Sequence, residues 1–220
     1  MLSQFLKIVI RDMEVLGMRD DVNFEGSLLA LGAIQARMNE MYVMTGGDVP
    51  ELAMRVPGMS PDEFNALSHE LNYDFDDDFR ETVTAYEIGG VSLGGIWFGQ
   101  GGEYLRCLKR MNIRSGHDEV WWADDLDRPL SYLMIASTDS YIVLLDSENG
   151  FVFSFERGRC WHTMDKVADS FSLLIRGAGS LFLRRKLAVN KKALGRNVAK
   201  QVGGNMVFDQ FWVGLACGYI

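Results

Sequence analysis

Carboxylates crowd the stretch from 74 to 78, where Asp74, Asp76, Asp77 and Asp78 leave only Phe75 apolar. Acids at that density do one of two things. They present negative charge to a cationic partner, as a nucleic-acid backbone would, or they line the first turn of a helix, where the macrodipole favours them. A second run, Asp124, Asp125 and Asp127, offers oxygen ligands for a divalent cation. It lacks the glycine and distal glutamate of a calcium loop, so it reads as a solvated loop. Cys160 and His162 flank Trp161 and would share one face of a strand, the pairing that activates a thiol nucleophile. No local third group orients them, and a buried structural thiol is the simpler reading. His69, His117 and His162 have no metal-binding spacing. The glycines between 89 and 102 lack the Gly-Lys-Ser/Thr of a phosphate loop, and Tyr104 stands where a third dinucleotide-loop glycine belongs. The sequence predicts no catalytic set, no metal site and no cofactor.

What remains is chemistry of recognition. Adjacent Trp121 and Trp122 cannot share one face of a strand. Either one of them is exposed, as an interface anchor would be, or the core takes one and an appendage the other. With Trp97 and the acids Asp74, Asp76, Asp77, Asp78, Asp124, Asp125 and Asp127, they make up the candidate partner-binding set.

The elements that must position these residues follow from periodicity. Tyr132–Ala136, Tyr141–Asp146 and Phe151–Glu156 read as three consecutive antiparallel strands, with Asn149-Gly150 as a hairpin signal. Phe151, Phe153 and Phe155 alternate onto one face, which is expected to need a helical layer over it. The middle strand is apolar on both faces, as a central strand is. Helices are predicted over 2–17 and 25–42, and from Pro61, with Ser60 as N-cap and Glu63 completing a capping box. Another follows Asp74 as its cap and stops at Gly89-Gly90. Val91–Phe98 reads as a strand bulged at Gly94-Gly95, Val120–Trp122 as a short edge strand, and Tyr104–Met111 fits either strand or helix. A last amphipathic helix is expected over Asp165–Arg176, closed by Gly177, followed by a basic helical segment from Arg184 to Lys200 and an apolar end.

With 48% hydrophobic and 24% charged residues, the 220-residue chain can bury a full core, and wholesale disorder is excluded. The three cysteines are odd in number and far apart, fitting a reducing cytoplasm rather than a disulfide scaffold. No run is long enough to span a membrane, and the first residues make a poor secretory signal. The net charge of −8 is uneven: 29 acids face 14 bases before residue 170, and 8 bases face the single acid Asp209 after it. An acidic body argues against nucleic acid as the direct ligand and suits a basic protein partner. The basic tail reads as a solvated face or as docked on the acidic body.

Residues Leu67 to Gly90 resemble the opening signature of the SUKH superfamily, which includes the Smi/Knr-like cell-wall regulators, Syd-like proteins and bacterial immunity proteins. Its later pattern is similar to Ile135-Ala136, Asp139-Ser140, Leu145-Asp146, Gly150 to Phe153 and Asp169-Ser170-Phe171. Tyr73-Asp74 replaces the family's Leu-Pro turn, and Ser140-Tyr141 its Gly-Asp. The resemblance covers roughly residues 60–176. It implies an α+β fold with an antiparallel or mixed sheet packed with helices over 59–177; the family does not explain the flanking regions, which read from their own pattern as a helical N-terminal extension over 1–58 and a basic then apolar extension over 178–220. It further implies a non-catalytic, cytoplasmic protein-binding domain. The partner expected is a basic cognate toxin, such as a nuclease, which a bacterial immunity protein would neutralise. The alternative is a regulatory scaffold or self-associating module.

Overall fold

The structure, a computed structural model, describes residues 26–113, 120–122, 125, 127–206 and 209–219; the helix expected over 2–17 and His117 lie outside them. In chain order the described elements are α1 (Leu31–Met44), α2 (Pro61–Leu71), α3 (Asp77–Ala85), β1 (Ser92–Leu93), β2 (Ile96–Trp97), α4 (Tyr104–Asn112), β3 (Tyr132–Ser137), β4 (Tyr141–Asp146), β5 (Val152–Glu156), β6 (Asp165–Ala168), α5 (Phe171–Arg184), α6 (Lys191–Gln201) and α7 (Gln210–Cys217). The fold is α+β. Its six strands follow one another in space as in sequence, and every pair is antiparallel. No helix among the described residues is long and apolar enough to cross a membrane.

Local signals set several of these bounds. Ser60 accepts from the Glu63 amide and Glu63 accepts from the Ser60 amide, closing the expected capping box with Pro61 at the first helical position. The next helix is capped by Asp76, not Asp74, through a 2.8 Å bond from the Phe79 amide. Tyr73 and Phe75 are both buried, and an extended chain is what lets alternate residues point into the core, so the helix starts later. It ends at Ala85 rather than at Gly89-Gly90, because Glu87 is drawn into a β-bridge with Arg55. Val91–Phe98 is a hairpin and not one bulged strand: Gly94 and Gly95 both take positive φ, as a two-residue hairpin turn requires.

The three central strands lie where alternation and Asn149-Gly150 put them. The covering of their faces is the reverse of the expectation. Register places Ile142 against Phe155 and Leu144 against Phe153 on one face, with Val143 against Ser154 and Leu145 against Val152 on the other. The helices cover the Val143 and Val152 face, joining Leu133, Ile135, Phe171 and Leu174 in the main core. Phe155 instead meets a smaller cluster of Trp121, Trp122 and Trp161. Loop tryptophans bring enough apolar area to seal that face without a helix.

The expected helix over 165–176 divides. Asp165–Ala168 pairs with β5 as a sixth strand, and Ser170 caps α5, which runs through Gly177 to Arg184. Gly177 is no stop signal. A Cβ there would come within 2.8 Å of Trp212 and Val202, and one at Gly179 within 2.7 Å of Ile34, so these glycines admit neighbouring helices to close range. Helix α5 crosses the sheet and touches both outer strands, β1 and β6. Ile34 and Met38 before it in sequence, and Leu194, Val198 and Trp212 after it, share its core. The Trp212 indole also donates to the Val167 carbonyl at 2.8 Å. The backbone of 202–205 bonds to Asp169 and Lys166 beside β6, which covers that edge against stray pairing.

Helix α4 settles the undecided stretch after Tyr104. Among the described residues β2 pairs with β3 only at Trp97 and Ser137, and the outer edge of β3 around its irregularity at Met134 to Ala136 has no strand partner. Helix side chains fill the place. The Tyr104 hydroxyl donates to the Ile135 carbonyl at 2.8 Å, and burial pushes its pKa up. The buried Asn112 amide donates to the Met134 carbonyl at 2.7 Å and to the Leu108 carbonyl at 2.9 Å, while its oxygen accepts from the Met134 amide at 2.8 Å and the Trp121 indole at 3.3 Å. All four of its hydrogen-bonding sites are used.

Candidate functional site

The two ends of the sheet carry opposite chemistry. At the end of the β4–β5 turn, the acidic stretch is split between structural and exposed groups. Asp76 caps α3, and its Oδ2 is buried with no hydrogen-bond partner among the described residues, facing Gly150, where a Cβ would lie 2.7 Å away. Burial raises the Asp76 carboxyl above its ordinary value, against the lowering effect of the Phe79 amide. Asp78 accepts from the Ser172 amide at 2.8 Å and from the Ser172 hydroxyl, tying α3 to the first turn of α5. Asp74 and Asp77 are exposed, and Asp77 makes a 3.1 Å surface pair with Arg80.

The second acidic run divides in the same way. Asp125 accepts from the Trp161 indole at 2.7 Å, Asp127 is exposed, and Asp124 lies outside the described residues. Next to Asp127, Arg128 donates to the Tyr132 carbonyl at 2.8 Å and to the Leu71 carbonyl. That guanidinium brings Asp127 to the same end of the sheet as Asp74, since the Tyr73 hydroxyl is bonded to Leu145 there at 2.8 Å. Burial lowers the Arg128 pKa and raises that of Tyr73. Among the described residues no group of three or more His, Cys, Asp or Glu is placed to hold a metal ion.

The tryptophans part company. Trp121 and Trp122 are 7% and 3% exposed and meet edge to face at 5.3 Å, with Trp161 against Trp121 at 6.2 Å. The edge strand expected over Val120–Trp122 is a turn, and a turn frees neighbouring side chains from pointing to opposite faces, so both fit beneath one cover. They are therefore not available as exposed anchors. Trp97, 37% exposed, stands at the rim of β2. Cys160 and His162 do not share a strand face: His162 lies in a short 3-10 turn over Trp161–Thr163 that Cys160 precedes, and the His162 ring lies on the Trp161 ring at 3.8 Å.

At the opposite end, beyond the β3–β4 turn, lies an open cleft of about 2000 Å³. Its walls come from the C-terminal half of α1, the glycine loop before α4 and the loop after β5. Glu87 fixes that glycine loop by accepting from the Gly89 amide at 2.6 Å and the Tyr104 amide at 2.9 Å. Four exposed arginines, Arg55, Arg110, Arg157 and Arg159, line the cleft against two acids, Glu51 and Asp139. Arg110 donates to the Gln100 carbonyl at 2.9 Å and Arg157 to the Thr138 carbonyl at 3.2 Å, bonds that aim both side chains without neutralising them. Arg159 pairs with Glu156 at 2.8 Å. Sequence reading missed this set because its members come from three separate segments; only Arg157-Gly158-Arg159 is visible as a local signal.

No protein-family model matches the chain, and neither a curated protein nor a solved structure matches it.

Proposed function

We propose that the chain is a non-catalytic protein-binding domain of the SUKH-like kind, acting in the cytoplasm as an immunity protein that binds and blocks a basic toxin. One observation carries the reading: Asp74, Asp77 and Asp127 are exposed on a braced end of the fold, held by the Asp76 cap, the bond from Ser172 to Asp78 and the Arg128 clamp. Carboxylates fixed before binding lose little freedom on docking. They steer a cationic partner and set its register. Occupying the basic surroundings of a toxin's active site would exclude its substrate.

The test is co-expression with toxin genes of the native neighbourhood, then binding to the rescued toxin. Reversing Asp74, Asp77 and Asp127 together to lysine is expected to slow association at least about tenfold at low salt and to abolish rescue. Rescue by no neighbouring toxin, or rescue indifferent to the reversal, would end this reading. A regulatory scaffold is the second reading, favoured by the oppositely charged cleft at the far end; recovery of a housekeeping partner and no toxin would support it.

A further inference from the structure

We infer that the arginine-rimmed cleft is a docking groove for a partner polypeptide segment rich in acidic and aliphatic residues, separate from the acidic end and independent of the toxin reading. A small molecule is the weaker fit on size. Small-molecule pockets run to about 300–1,000 Å³, whereas this cleft holds about 2000 Å³ and would bury only part of such a ligand.

Charge then names the occupant. In a chain of net charge −8, four exposed guanidinium groups face one cleft, and Arg55, Arg110 and Arg157 have no carboxylate partner among the described residues. Guanidinium groups bind carboxylates through paired, charge-assisted hydrogen bonds. The same walls expose aliphatic surface, with Val43 at 74% and Ile113 at 42%, and Trp97 beside them. Tryptophan and arginine, both present on these walls, are the residue types enriched in energetic hot spots. Apolar and cationic groups on one groove match a segment that alternates carboxylates with apolar side chains, bound as an amphipathic helix or an extended strip.

Nucleic acid fits less well. Base stacking needs a row of aromatic faces, and Trp97 is the one large exposed aromatic side chain on the described walls.

The experiment pans a random 16-residue peptide library displayed on phage against the intact chain. Affinities of the enriched peptides follow by fluorescence polarisation, with a 12-nucleotide single-stranded RNA as the competing probe. Enriched peptides should be acidic with interspersed Leu, Ile or aromatic residues. Arg110→Glu with Arg157→Glu should weaken them at least tenfold, and Trp97→Ala should weaken them several-fold. Arg55→Glu removes a side chain that makes no bond among the described residues, so it tests the charge without disturbing the fold and should weaken binding about threefold. Asp74→Lys with Asp77→Lys should leave affinity unchanged, which separates this groove from the acidic end. Neutral or basic consensus peptides, no enrichment, indifference to the arginine reversals, or tighter binding of the RNA would each overturn the inference.

Discussion

Asn112 is the residue whose replacement tests the architecture most sharply, because one buried side chain stands in for the strand that β2 is too short to provide. Asn112→Ala leaves the Met134 amide, the Met134 carbonyl and the Trp121 indole without their partner. A buried polar group left unsatisfied costs about 1–3 kcal/mol. The three together should destabilise the fold by about 3–5 kcal/mol, a large share of the roughly 5–15 kcal/mol that holds a domain together. The comparison with Asn112→Leu carries the argument. Leucine fills the space, which ordinarily rescues a cavity, but here it excludes the water that could reach the orphaned groups in the alanine variant. Asn112→Leu should be at least as damaging as Asn112→Ala. Urea denaturation followed by far-ultraviolet circular dichroism and by tryptophan fluorescence measures both, with coincident curves and an unchanged slope as the sign that stability alone has moved. A loss below about 1 kcal/mol in the alanine variant, or a leucine variant as stable as the parent, would refute the claim that α4 completes the sheet edge.

Glycines in helices ordinarily gain about 1 kcal/mol on replacement by alanine; Gly177→Ala and Gly179→Ala should lose stability instead, since each new Cβ meets Trp212 and Val202 or Ile34, and a raised melting temperature would contradict the packing. Gly89→Ala should be worse than either, because its Cβ would overlap the backbone at Gly102 and Tyr104 rather than movable side-chain ends; equal melting temperatures for the three variants would count against this. Asp76 supplies a pH test. Its folded pKa is raised by burial, so its favourable contribution is complete below the unfolded aspartate value of about 3.9 and is lost as pH rises through the raised folded value. Asp76→Asn keeps an N-cap and removes the titration, so it should gain on the parent as urea denaturation is moved from about pH 4 to about pH 7; parallel pH dependences would show that Oδ2 is not the strained group.

Much of the local grammar was legible in the chain. The capping box at Ser60 needs only residues three apart, and the meander at 132–156 is written in a period of two with Asn149-Gly150 marking a turn. Such signals involve neighbours in sequence, so no knowledge of the rest of the fold is required. The acidic stretch was half legible: alternation could show that 74–78 meets a helix start, but Asp78 finds Ser172 ninety-four positions away, and only that meeting separates a structural carboxylate from a displayed one. Gly177 looked like a terminator because glycine after an amphipathic run usually is. Its real constraint is the approach of Trp212 and Val202, invisible until α6 and α7 are packed.

The amino-acid order by itself determined that the chain is α+β, where its central strands lie, and which residues are polar enough to be displayed. Only the tertiary structure decided which face of β5 the helices cover, that Trp121 and Trp122 are both hidden, and that Arg55, Arg110, Arg157 and Arg159 converge on one cleft. The reason is one of range. Periodicity and capping act over a turn or two of chain, whereas the side of a sheet that is covered, and the company an exposed charge keeps, depend on segments far apart in sequence brought together by burial of the core.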